Sequence, residues 1–161
     1  MTFIHKITLL PLLALTTLAG TSVNAADWRE TATETDKIAN LLSVMPGASV
    51  IMLQMGERYK NLYWAAKQEK WAFAEYQIEE MEDLINMLKI TRPARAKTAS
   101  EFQQVVFPAV PDAIKKQDWK SFEPAFEQLR NQCMACHAKN DHAFITLPIP
   151  KSANSPVLNM P

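Results

Sequence analysis

Residues 121–139, SFEPAFEQLRNQCMACHAK, form the most informative stretch of this sequence. Its apolar residues recur at steps of three and four, the spacing that places side chains on one face of an α-helix. Ser121 is the expected N-cap, and Pro124 is harmless only if it lies in the first turn. The predicted core stripe continues into both cysteines and a histidine: Phe122, Phe126, Leu129, Cys133, Cys136 and His137.

The segment CMACH, Cys133 to His137, contains both cysteines of the chain. Cys-x-x-Cys-His spacing is typical of covalent haem attachment, in which two thiols add to the haem vinyl groups and the histidine binds the iron. On a helix, positions three and four apart share a face, which brings the three side chains together. The sequence therefore predicts one covalently attached haem c, with His137 as the proximal iron ligand. Because the motif continues a core stripe, we expect the haem to be buried.

Three other interpretations of the motif stay open. A zinc site could use Cys133, Cys136, His137 and His142, although structural zinc sites usually draw their ligands from two separated pairs. A redox dithiol would require a βαβ context, and no strand pattern surrounds the motif. A match of five residues can also arise by chance.

Residues 1–25 have the pattern of a cleaved secretory signal. Lys6 precedes an apolar stretch over residues 7–19, and the small residues Val23 and Ala25 suit cleavage after Ala25. No cysteine follows the apolar stretch, so a lipid anchor is not expected. Because haem is attached in the oxidising compartment outside the bacterial cytoplasm, the sequence predicts a periplasmic protein without a membrane anchor.

The composition of the predicted mature chain favours a single all-α domain. About 136 of the 161 residues remain after cleavage, enough for one compact core. Removal of Lys6 leaves 16 basic residues against 17 acidic ones, so nucleic-acid binding is not expected. Glycine is scarce and β-branched alternation is absent. No nucleophile triad, acid and base pair or phosphate loop is present, and the chain is predicted not to be an enzyme.

The sequence before residue 121 contains three more stretches with helical spacing, and the first two of them lie close together in the chain. Residues 50–67 and 71–90 each carry an apolar stripe at helical spacing, and a single helix over both would be unusually long for a globular domain. We therefore expect two antiparallel helices with a tight connection near Glu69. The two stripes are Met52, Met55, Tyr59, Leu62 and Ala66, followed by Ala74, Ile78, Met81, Ile85 and Leu88.

The third stretch, residues 98–116, contains two prolines. Pro108 and Pro111 each cost about 3 kcal/mol or more inside a helix. The sequence thus predicts a kink or a break near Phe107. With residues 121–139, these stretches predict an antiparallel four-helix bundle over residues 50–140.

Segments of weaker pattern flank the predicted bundle. Residues 26–49 have a faint apolar pattern at Ile38, Leu41, Leu42 and Met45, which is ambiguous between a short helix and a loosely packed arm. Residues 141–161 are rich in proline and polar residues and cannot continue a helix beyond Leu147. We expect an extended tail over the domain, with Phe144 and Ile145 as anchors.

A haem motif near the end of the last of four helices resembles the cytochrome c-prime type, the four-helix-bundle class of c-type cytochromes. The segments YKNLYWAAKQEKWAFAEYQIEEMEDL (59–84) and CHAKNDHAFITLPIP (136–150) are also similar to small exported bacterial monohaem cytochromes. The long N-terminal arm, the two prolines and the long tail depart from the c-prime pattern. The resemblance implies a haem-binding bundle and a choice between electron transfer and gas binding.

The sixth iron ligand is not fixed by the motif. After cleavage only His137 and His142 remain, and His142 follows too closely to reach the opposite haem face. In methionine-ligated members of the c-prime class the distal ligand comes from the first helix, which makes Met52 and Met55 the candidates here and Met160 in the tail an outsider. Methionine is also a common core filler, so simple packing is the competing interpretation.

Charged residues allow two further hypotheses. Arg58, Arg92 and Arg95 could pair with haem propionates, and nothing in the sequence selects one. The acidic residues of the second helix suit a solvated face, and could also dock a basic redox partner: Glu75, Glu79, Glu80, Glu82 and Asp83.

Two functions follow. A six-coordinate iron would carry single electrons between exported redox proteins, and methionine ligation would raise its potential. A five-coordinate iron would instead bind nitric oxide or carbon monoxide. Electron transfer is favoured because two methionines stand where a ligand is expected, and a homodimer through the first two helices is possible.

Overall fold

The computed structural model describes residues 27–154, in which the regular secondary structure is helical and no strand is present. The predicted signal (1–25), Met160 and the end of the tail lie outside the described residues. The chain divides into two compact units between Leu41 and Leu42. The all-α class predicted from composition is confirmed. The helices are α1 (Trp28–Thr31), α2 (Glu34–Ser43), α3 (Ala48–Lys67), α4 (Trp71–Thr91), α5 (Ala96–Ile114) and α6 (Trp119–Lys139), with a 3₁₀ turn at Pro93–Arg95.

The four long helices, α3 to α6, share one apolar core. Helix α3 packs against α4 and α6, and α5 packs against the same two helices. The largest side chains removed from water include Phe122 and Phe126 of α6, Ile51 and Leu62 of α3, and Ile78 of α4. Full burial of a side chain of this size stabilises the fold by about 1.5–3 kcal/mol. The predicted stripes include Leu62, Ile78, Phe122 and Phe126, but they omit Ile51, and Met52 of the α3 stripe is only partly buried.

The segment before α3 is helical but contributes no buried residue. The ambiguous pattern in residues 26–49 forms the short helix α1 and the longer helix α2. The apolar side chains of α2 stay exposed, with Ile38 at 58% and Leu42 at 62%. Within residues 27–154 no single helix is long and apolar enough to cross a membrane, although α2 and α3 taken together as a bent pair pass by length and composition.

Of the kink or break predicted near Phe107 in α5, the break is wrong, and the kink stays a prediction. The helix runs from Ala96 to Ile114 without interruption and includes Pro108 and Pro111. Each proline removes one hydrogen bond to the carbonyl four residues earlier. Pro108 has no N–H to donate to the Gln104 carbonyl, and Gln104 is exposed to water. On the other face the apolar stripe is buried, including Val106 and Val110, and this packing holds the helix together.

The start of α6 also differs from prediction. Its N-cap is Asp118, whose side chain accepts a hydrogen bond from the backbone N–H of Ser121 at 2.9 Å. Ser121 is therefore the third helical residue and not the cap. Pro124 lies beyond the first turn, so the condition under which it would be harmless is not met, and the Lys120 carbonyl loses a helical partner. Lys120 is exposed, so water can replace that bond.

The tail crosses the domain, but not through the predicted anchors. Phe144 is 79% exposed and Ile145 is 42% exposed. Leu147, Ile149 and Ala153 pack against the core instead. Phe144 and Ile145 belong instead to the turn that follows α6, in which the Ile145 N–H donates to the His142 carbonyl at 2.9 Å.

The acidic side chains of α4 are mainly solvated. Glu75, Glu79, Glu82 and Asp83 are exposed. Glu80 is partly buried and forms an ion pair with Arg58 across to α3 at 3.1 Å. Most of the run thus lies on the water-facing side of the helix.

The connection between α3 and α4 contains Glu69 in the left-handed region, at φ 59°. Two hydrogen bonds close the end of α3, from Lys70 N–H to Ala65 O at 2.8 Å and from Glu69 N–H to Ala66 O at 3.1 Å. This pair of bonds is the Schellman motif, which usually has glycine at the left-handed position. The tight connection predicted near Glu69 is present, formed without glycine.

Because a side chain is disfavoured at positive φ, we expect Glu69→Gly to stabilise the protein by about 1 kcal/mol. Glu79→Gly, an exposed change in the interior of α4, serves as the control and should cost about 1 kcal/mol. Denaturant unfolding of both variants measures the two free energies. A loss of stability in both would contradict the left-handed geometry at Glu69.

Candidate functional site

A cavity of about 330 Å³ opens among the four long helices and the start of the tail. Well-packed protein interiors contain few voids larger than a water molecule. Small-molecule and cofactor sites, by contrast, occupy about 300–1,000 Å³. Its walls include Met52, Met55, Gly56, Tyr59, Met81, Ile85, Leu88, Arg95, Thr98, Phe102, Cys133, Cys136, His137, Asn140, His142 and Leu147.

All three residues of the CMACH motif that carry chemistry lie in the wall of this cavity. Cys133, Cys136 and His137 belong to the last two turns of α6, and each is partly buried. They follow the fully buried Phe122 and Leu129 on the same face, as the stripe predicted. The periodicity of α6 therefore carries its core face directly into the cavity.

Both cysteines are free thiols held in their neutral form. Burial raises the pKa of Cys133 to about 12, because the thiolate would lose its hydration. Burial also raises the pKa of Cys136, opposed by a hydrogen bond with the Thr98 side chain and by the positive charges of Lys139 and Arg95. Neutral, sheltered thiols are protected from the reactions that low-pKa cysteines undergo.

A small polar network fixes the position of Cys136. The Asn140 side-chain amide donates to the Cys136 carbonyl at 2.8 Å and to Thr98 Oγ1 at 2.9 Å, and lies 3.7 Å from Cys136 Sγ. Thr98 Oγ1 in turn donates to the Arg95 carbonyl at 3.0 Å. The network joins the end of α6 to the start of α5 beside the cavity.

The ring of His137 is oriented by the tail. Its Nδ1 lies 3.0 Å from the carbonyl oxygen of Ile145. A carbonyl only accepts, so in neutral His137 this bond requires the proton on Nδ1 and leaves a lone pair on Nε2. Metal-binding histidines commonly donate their second ring nitrogen to a carbonyl or carboxylate in this way.

The two candidate methionines of α3 also line the cavity. Met55 is 7% exposed and belongs to the apolar core, whereas Met52 is only partly buried and packs at its edge. His142 lines the cavity as well, and its backbone N–H donates to the His137 carbonyl at 2.9 Å. A short hydrogen bond joins its Nδ1 to the Asn140 carbonyl.

Of the three arginines proposed for haem propionates, Arg95 alone lines the cavity. Within residues 27–154 its guanidinium has no hydrogen-bond or ion-pair partner, so it is available to an anion. Arg58 is engaged with Glu80 and with Gln77, at 3.1 and 3.3 Å. The Arg92 guanidinium donates to the Thr91 carbonyl.

The zinc interpretation gains no support from the described part of the chain. Within residues 27–154 no three side chains of His, Cys, Asp or Glu converge as a metal-binding group. A redox dithiol is disfavoured by the raised thiol pKa values, since such sites depend on an accessible thiolate.

Several residues of the site were not identified from the sequence. Gly56 lies in the interior of α3, where glycine costs about 1 kcal/mol relative to alanine, and a Cβ at this position would meet no atom within 4 Å. The unusual glycine within a helical stripe could have identified Gly56 as a site residue. The sequence carried no such signal for Thr98 and Asn140, because short polar residues are common near helix ends.

The residues present fit a covalently attached haem. Two thiols and an imidazole lie together on one wall, and thioether side chains lie on another helix. The remaining surface is largely apolar, with an arginine at one edge to match propionate charge.

No protein-family model matches this chain, and no curated protein or solved structure is significantly similar to it. The resemblance to cytochrome c-prime therefore stays a prediction based on the motif and the helical layout.

Burial should make Cys133 slow to alkylate. In the haem-free full-length chain carrying Cys136→Ser, we expect iodoacetamide to modify Cys133 at pH 8 at least about 100-fold more slowly than a free cysteine of pKa about 8.5. Addition of denaturant should restore the ordinary rate. Mass spectrometry measures both rates, and fast modification of the folded chain would contradict the sheltered thiol.

Proposed function

We propose that this protein is a periplasmic monohaem c-type cytochrome that transfers single electrons between exported redox proteins. The observation that supports it most strongly is the common cavity of Cys133, Cys136, His137, Met52 and Met55. We further propose that α3 to α6 form an antiparallel four-helix bundle of the c-prime type, flanked by an arm and a tail. In this proposal the protein is not an enzyme.

In this proposal each residue has a defined task. Cys133 and Cys136 would hold the haem through thioether bonds, and His137 Nε2 would bind the iron. Arg95 would match the charge of a propionate. A haem bound here supplies a site that accepts one electron from a donor and releases one electron to an acceptor. The apolar wall favours the less charged reduced form by limiting hydration.

We assign the distal ligand to Met52 in preference to Met55. Met55 is buried in the core cluster, so moving its side chain would leave a space there. Met52 is partly exposed at the cavity edge and has greater freedom to turn. Its thioether is unbranched and flexible, which suits adjustment to an incoming ligand position.

The surface suits a soluble redox carrier. The exposed carboxylates of α4, Glu75, Glu79, Glu82 and Asp83, provide negative charge that would steer a basic partner at low ionic strength.

Absorption spectra of the haem-loaded protein test the proposed ligation. With methionine bound, we expect a low-spin ferric spectrum with a weak long-wavelength sulfur-to-iron charge-transfer band. The reduced protein should react slowly with carbon monoxide, because the gas must displace the methionine. Met52→Ala should produce a high-spin form that binds carbon monoxide quickly.

Met55→Ala is the matched control. It should retain the low-spin spectrum and lose about 2–5 kcal/mol of stability as a buried methionine replaced by alanine. An exchange of these two outcomes would assign the ligand to Met55. A high-spin wild type with rapid gas binding would overturn methionine ligation and favour a five-coordinate protein that binds nitric oxide or carbon monoxide.

A further inference from the structure

The first residues of the tail return to the end of α6 through a closed set of three hydrogen bonds. The backbone N–H of His142 donates to the His137 carbonyl at 2.9 Å, and the N–H of Ile145 donates to the His142 carbonyl at 2.9 Å. The Ile145 carbonyl then accepts from His137 Nδ1 at 3.0 Å. The main chain and the ring of His137 are thus both tied to residues 142–145.

Left-handed backbone at Asp141, φ 64°, makes this return possible. Asp141 N–H donates to the Ala138 carbonyl at 3.3 Å, which with the bond to His137 completes a Schellman motif at the end of α6. The histidine of the CMACH motif is therefore itself part of the helix-terminating structure.

Residues 145–154, which we name the strap, are held by side chains that donate to their backbone carbonyls. Arg130 Nε donates to the Leu147 carbonyl at 2.6 Å, and Tyr59 Oη donates to the Pro148 carbonyl at 3.1 Å. Further along, Lys60 Nζ donates to the Asn154 carbonyl at 3.1 Å. All three of these hydrogen bonds are made to backbone carbonyls of the strap and not to its side chains.

Arg130 is well placed to control the beginning of the strap. It lies seven residues before His137 on α6, a spacing that returns to the same helix face. Its acceptor, Leu147, is two residues beyond Ile145. Glu127 pairs with the Arg130 guanidinium at 3.2 Å and fixes its direction. One helix face therefore donates to two nearby carbonyls of the strap.

We propose that the strap is a positioning element for His137 and that Arg130 is the positioning residue that holds it. The strap presents the Ile145 carbonyl, which selects the Nδ1–H tautomer and leaves Nε2 as the coordinating atom. Its consequence for iron rests on the proposed haem function, whereas the tautomer is a property of the polypeptide.

The tautomer can be measured without haem. In the full-length haem-free chain labelled with ¹⁵N-histidine, at pH 8, we expect His137 to show predominantly the Nδ1–H form, assigned by comparison with His137→Gln. Arg130→Gln should shift this population toward Nε2–H. Arg58→Gln is the matched control: its arginine is similarly exposed, 25% against 28%, and pairs with Glu80 away from the strap.

The haem-loaded protein provides a second measurement. A histidine that donates through Nδ1 is a stronger donor to its metal, so Arg130→Gln should raise the reduction potential of the haem-loaded protein. Arg58→Gln should leave the potential at the wild-type value. Failure to attach haem at all would defeat the proposed function but would leave the tautomer measurement intact.

Arg130→Met in the full chain removes the donor to the Leu147 carbonyl but keeps an apolar side chain of similar length, and it carries the test if Arg130→Gln does not fold. It too should lose the Nδ1–H preference. A wild-type His137 that is mainly Nε2–H would overturn the proposal. Retention of the wild-type tautomer in either variant would also overturn it.

Discussion

The structure depends on one face of α6, which packs in the core along its first part and lines the cavity along its last part. The first part of that face on α6 buries Phe122, Phe126 and Leu129 in the core. Because the helical period continues, burying these side chains obliges Cys133 and His137 to face the same interior. The position of the motif is thus a consequence of core packing, and it needs no separate device to bring its reactive groups inside.

The cavity exists because packing stops where the motif begins. Tyr59 stacks on Phe126, with ring centroids 4.7 Å apart, and forms part of the cavity wall. Beyond this aromatic contact the facing positions carry flexible or small residues, including Met52 and Gly56. Leaving such a space empty forfeits dispersion contacts that a close-packed interior would make. A flat apolar cofactor would restore them.

Periodicity predicted most of this arrangement, and local energetic competition explains the rest. The stripes of α3, α4 and α6 identified the core and the cavity-facing methionines. The continuity of α5 was not predictable from Pro108 and Pro111, because the burial that compensates them is set by neighbouring helices. Asp118 was not predicted as the N-cap of α6 because the helix was expected to begin at Ser121. The tail contacts were hidden because Arg130 and Tyr59 recognise backbone carbonyls, which leave no pattern in the side-chain sequence.

Covalent haem attachment is the central claim, and the intact mass of the protein tests it most directly. The full-length gene would be expressed in a bacterium that exports proteins and attaches haem. We predict a denatured protein that remains coloured, with a mass equal to the chain beginning at Ala26 plus one haem, and no such adduct when Cys133 and Cys136 are both serine. Colourless wild-type protein with zinc bound, or with unmodified thiols, would contradict the account.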